Sequence, residues 1–88
     1  MARIEYASDE VATTGSNVTS DVFFHLGVTY ATGRNGGTDL VAAHKWFNLA
    51  AHRGNADAAR YRQEISAEMS AADIAAAQRL AREYLTVH

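Results

Sequence analysis

The chain of 88 residues has no cysteine and no proline, and its net charge is only −2. Without cysteine there is no disulfide framework and no thiolate metal site, so a reducing cytoplasm is the expected setting. The lack of proline leaves no obligatory helix break anywhere. No run approaches the ~20 apolar residues that a membrane span needs, and residues 1–20 have no apolar core of signal-peptide length. Basic and acidic side chains alternate instead of clustering, which offers no footprint for a phosphate backbone. No nucleic acid, membrane or metal partner is expected.

Hydrophobic residues make up 48% of the chain, but alanine supplies much of that share. An alanine buries far less than the ~1.5–3 kcal/mol of apolar side chain in a Leu or Phe. A chain this short also removes only about 60–65% of its unfolded surface from water. One domain with a thin margin of stability is the most it can form.

Residues 1–19 are polar, with Ser, Thr, Asn and Gly in the second half, and read as a flexible arm. The helical domain is expected over residues 20–88. Thr19 or Ser20 can cap a first helix, in which Phe23, Leu26, Gly27, Tyr30 and Ala31 recur at helical spacing until Gly33. On a wheel its apolar arc runs from Leu26 round to Phe24 and Val28, leaving His25, Thr29 and Thr32 as a narrow polar strip.

After a turn at Arg34 to Gly37, Thr38 or Asp39 can cap a second helix that ends at Gly54. Leu40, Ala43, Trp46, Phe47, Ala50 and Ala51 share its inner face, with His44, Lys45, Asn48 and His52 opposite. So short a loop makes the two helices antiparallel neighbours, and Gly27 against the alanines lets them approach closely. Asn55 caps a third helix with Ala58, Tyr61, Ile65 and Met69 inward. Ser70, followed by Asp73, caps a fourth that buries Ile74, Ala77, Leu80, Ala81, Tyr84 and Leu85. With no alternating β-branched run, the fold class is all-α, with about four helices in antiparallel hairpins.

Set against itself, the segment DLVAAHKWFNLAA from Asp39 aligns with DIAAAQRLAREYL from Asp73 at an offset of 34. That offset is a solenoid period, so the fourth helix reads as a decayed copy of the second. Here the chain resembles the Sel-one-like repeats, relatives of the tetratricopeptide repeats. Their spaced pattern falls on Leu26-Gly27, Tyr30, Gly33, Asp39, Ala43, Trp46-Phe47, Ala50-Ala51, Gly54 and Ala58. One departure is Asn35-Gly36, where the repeat has Gly-Val. The match spans about residues 22–57 as one full repeat, and 58–86 as a degenerate repeat or cap.

The resemblance implies an α/α solenoid whose concave face, lined mainly by the first helix of each hairpin, binds another protein. Members are mostly adaptors in assembly and signalling, many of them bacterial. Phe24, Val28, His25, Thr29 and Thr32 of the first helix are candidate partner contacts. Phe24 and Val28 lie at the rim of the apolar arc, where a partner, a second copy, the arm or the later helices can cover them. The expected function is a cytoplasmic protein-interaction module, neither enzyme nor cofactor carrier, and the alternative is a homodimer that buries the open repeat face.

Residues that carry chemistry elsewhere have plainer roles here. His44 and His52 are eight residues apart on one helix, about 12 Å at ~1.5 Å per residue, too far to share an ion. Ser20, Ser66 and Ser70 read as helix-face or capping residues, and Asp39 and Asp73 as caps. The glycines at 33, 36 and 37 follow no strand and precede no Lys-Ser/Thr, so they form no phosphate loop. Arg60, Arg62, Arg79 and Arg82 are interleaved with Glu64, Glu68 and Glu83, a mixed face that solvent covers.

Overall fold

The computed structural model describes residues 18–34 and 36–87, and every regular element among them is an α-helix. Four helices follow one another: α1 (Val18–Thr32), α2 (Leu40–His52), α3 (Ala56–Ser66) and α4 (Ala71–Val87). All but the last two residues of the expected arm, together with Asn35 and His88, lie outside the described residues. None of the described helices is long and apolar enough to cross a membrane.

The helix ends follow from local chemistry. Gly33, at φ 76°, ends α1, and its N–H and that of Arg34 both donate to the Thr29 carbonyl. The turn returns so that the Asp39 N–H donates to the Tyr30 carbonyl at 3.0 Å. Asp39 then caps α2, its carboxylate accepting from the Ala42 N–H at 3.0 Å. At the far end of α2 the Asn55 N–H donates to Ala50 O and the Gly54 N–H to Ala51 O, a Schellman motif that needs Gly54 at φ 104°. Asn55 also caps α3, accepting from the Ala58 N–H at 2.9 Å, so one residue both closes α2 and opens α3.

Two starts differ from expectation. Thr19 and Ser20 lie inside α1, and Ser20 is buried, because the helix extends back at least to Val18. Asp73 does not cap α4. Its own N–H is accepted by Ser70 Oγ at 3.0 Å, so α4 begins a turn earlier relative to the offset-34 alignment than α2 does.

The helix at the centre is α2, which packs against α1, α3 and α4. Its buried residues, Ala43, His44, Phe47, Leu49 and Ala50, spread over more than half its circumference at roughly 100° per residue. The hairpin with α1 is antiparallel: Tyr30 meets the start of α2, while the Arg53 guanidinium at its end lies over the Phe23 ring. Gly27 faces Phe47, not the alanines expected, and a Cβ there would stand 2.5 Å from the Phe47 ring.

Phe23 and Phe24, adjacent in α1, diverge by about 100° and enter two different aromatic clusters. Phe24 joins Phe47 and Tyr61 at centroid separations of 5.2–5.7 Å, which ties α3 to the hairpin. Phe23 joins Trp46 and Tyr84 at 5.4–5.7 Å, which ties α4 to it. Each such pair contributes about 0.5–1.5 kcal/mol beyond its area burial. Leu80 and Leu85 depart from the buried set expected of α4: they are 36% and 37% exposed.

Replacing Gly27 with Ala should lower stability although alanine is the better helix former. The gain of about 1 kcal/mol in helix propensity is outweighed by about 1–3 kcal/mol for forcing a methyl against a ring that has nowhere to go. Thermal melting of Gly27→Ala checks this, and a raised midpoint would contradict it.

Candidate functional site

An open cleft of about 430 Å³ lies where α2, α3 and α4 meet. Three helices supply side chains one turn apart: His44 and Asn48 from α2, Arg62 and Ser66 from α3, Ile74 and Gln78 from α4, with Gln63 beside them. The cleft forms because both α3 and α4 lean on α2 and hardly on each other. Among the described residues Ile74 is the one apolar side chain lining it.

A hydrogen-bond chain runs through this cleft. His44 Nε2 lies 3.1 Å from Ser66 Oγ, Ser66 Oγ lies 2.8 Å from the Arg62 carbonyl, and Arg62 Nη1 donates to Asn48 Oδ1 at 2.9 Å. The directions are fixed by elimination. A carbonyl can only accept, so the single Ser66 proton goes to Arg62 O and His44 Nε2–H must donate to Ser66. His44 is therefore the Nε2–H tautomer, with a lone pair on Nδ1. That Nδ1 is buried and has no hydrogen-bond partner among the described residues.

His44 is 2% exposed, a correction to its expected place on the solvated face of α2. Half-buried Asn48 and Ser66 likewise belong to this chain and not to a wet face. Burial, and secondarily the Arg62 charge, hold His44 below its ordinary value of 6.5. Protonation would put an N–H⁺ on Nδ1 with no acceptor for it among the described residues. The arrangement is also the reverse of a nucleophile–base pair, in which the serine proton must point at the imidazole.

The residues expected to meet a partner lie elsewhere. Phe24 and Val28 are half-buried and packed on the core, and Tyr61 of α3 lies against Phe24, which a lone hairpin would leave wet. His25 is exposed. Thr29 and Thr32 donate their hydroxyls to the His25 and Val28 carbonyls at 2.9 and 2.8 Å, one turn back in their own helix. None of the five lines the cleft. The repeat-pattern residues Gly27, Ala43, Phe47, Ala50 and Ala58 are buried, and Leu26, Tyr30, Trp46 and Ala51 pack against them half-buried.

Among the described residues no group of three or more His, Asp or Glu is placed to hold a metal ion. No protein-family model, curated protein or solved structure matches the chain.

The folded state disfavours protonated His44, so its contribution to stability is complete above about pH 6.5 and declines as pH falls below that toward the depressed folded value. Melting curves between pH 7 and pH 5 should show a falling midpoint. His44→Gln, which keeps a donor for Ser66 but cannot take up a proton, should fall less. Identical slopes for the two proteins would exclude His44 as the source.

Proposed function

We propose that the chain is a small helical-repeat module of the Sel-one-like type that binds another protein and performs no catalysis. The observation that carries this reading is the direction of the hydrogen bonds in the cleft. Its histidine donates to its serine, its serine proton is occupied by a backbone carbonyl, and its remaining groups are amides and one guanidinium. Such groups present donors and acceptors to a ligand without activating any of them.

The repeat reading draws support from burial at the 34-residue offset. Ala43 and Ala77 are both fully buried, as are Phe47 and Ala81 to within 2%, so the equivalent stripes of α2 and α4 face inward. Among the described helices α4 packs chiefly on α2, as the last helix of a terminal repeat packs on the repeat before it.

With the full chain as bait in a native cell extract, one or more proteins should be retained, and a cleft variant carrying Asn48→Ala and Gln78→Ala should lose them. Retention by neither protein, or equal retention by both, would contradict the cleft as the interaction surface. The homodimer remains a second reading because Leu80, Leu85 and Val87 are left exposed on α4. A melting temperature that rises with protein concentration would favour it, whereas a fixed one favours the monomeric module.

A further inference from the structure

We propose that the cleft between α2, α3 and α4 is a carboxylate-binding site, in which the Arg62 guanidinium receives the anion beside the side-chain amides of Asn48, Gln63 and Gln78. The proposal rests on the interaction-module reading for the source of the carboxylate, a terminus or acidic side chain of a partner, although a small free carboxylate has the same chemistry.

Arg62 is half-buried, and the one hydrogen-bond partner of its guanidinium among the described residues is Asn48. Among the described residues no Asp or Glu lines the cleft. Arg60, two positions away, is by contrast paired with Asp57 at 3.3 Å on the exposed side of α3. A cation partly withdrawn from water without a counterion is costly, and an incoming carboxylate would relieve that cost.

The geometry also leaves the right edge open. Asn48 Oδ1 occupies Nη1, which steadies the guanidinium and leaves the Nε–H and Nη2–H edge for the two oxygens of a carboxylate. Because the guanidinium can only donate, the Asn48 oxygen is the acceptor, and its NH₂ group remains to donate. Gln63 and Gln78 stand exposed at the rim, with amides that suit the peptide groups beside a terminal carboxylate. The cleft has room for more than the anion alone. A bound negative charge would offset the Arg62 charge that helps to depress His44, so binding should move the His44 titration upward.

The test is a titration of the ¹⁵N-labelled full chain with N-acetyl-diglycine, with its C-terminal carboxamide, and with acetate, followed by NMR at the Arg62 Nε–H and Asn48 NH₂ signals. The free acid should shift both signals with a dissociation constant of about a millimolar. The carboxamide should not shift them, and His44 should titrate higher in the acid-bound protein.

Arg62→Lys should weaken binding by about tenfold, as loss of one charge-assisted hydrogen bond does. Arg62→Gln should abolish it. Neither change touches the His44–Ser66 link, which uses the Arg62 backbone carbonyl. Acid tighter than acetate assigns the site to a peptide carboxylate, and equal affinities assign it to a small free one.

Equal shifts from acid and carboxamide, or binding undiminished in Arg62→Gln, would overturn the proposal. If that occurs while the bait still retains a partner lost on Asn48→Ala with Gln78→Ala, the carboxylate site fails and the interaction module stands.

Discussion

The structure depends on one close approach, the Phe47 ring lying where a side chain at position 27 would be. With only a hydrogen at Gly27, α1 descends onto α2 and Phe47 is fully enclosed. That approach lets neighbouring aromatics diverge usefully. Phe23 and Phe24 on α1 meet Trp46 and Phe47 on α2, and each pair straddles the hairpin seam. One side then offers a seat for Tyr61 and the other a seat for Tyr84, so a two-helix hairpin holds a third and a fourth helix through separate contacts. An alanine-rich chain of this length has few large side chains to spend, and six of its eight aromatics go to these two clusters.

The cleft is a consequence of the same plan. Since α3 and α4 are each anchored to the hairpin and barely to one another, a gap opens between them over α2. The side chains that reach into it must satisfy their polar atoms with partners from another helix, and His44, Ser66, Arg62 and Asn48 do so as a chain. The lone pair on His44 Nδ1 is left over, and it gives the junction a sensitivity to protons that a wholly apolar junction would lack.

Sequence alone reveals most of what is local. Gly33, Asp39, Gly54, Asn55 and Ser70 act where chain-neighbour chemistry places them, because caps and left-handed turns depend on residues three to five positions away. The aromatic core positions are legible for a similar reason, since helical periodicity separates Phe47 and Tyr61 from their charged neighbours. His44 is not legible. Its burial depends on Ser66, 22 residues away, and a polar residue opposite an apolar stripe ordinarily faces water. Leu80 and Leu85 mislead in the opposite sense: their spacing is that of a buried face, but both are left more than a third exposed. The offset of 34 matches the burial of Ala43 and Ala77 while missing that Asp39 caps its helix and Asp73 does not. The candidate site therefore could not be read from spacing, because its members come from three helices and none is unusual on its own.

The central claim is that α2 is a hub to which α3 and α4 are attached independently, one through each aromatic cluster. Native-state hydrogen exchange on single alanine variants tests it most directly. Tyr61→Ala should accelerate exchange in α3 while sparing α4, Tyr84→Ala should do the reverse, and Phe47→Ala should accelerate exchange in every helix. Equal acceleration of α3 and α4 by Tyr61→Ala and by Tyr84→Ala would contradict the account, since it would mean that the two helices open as one unit.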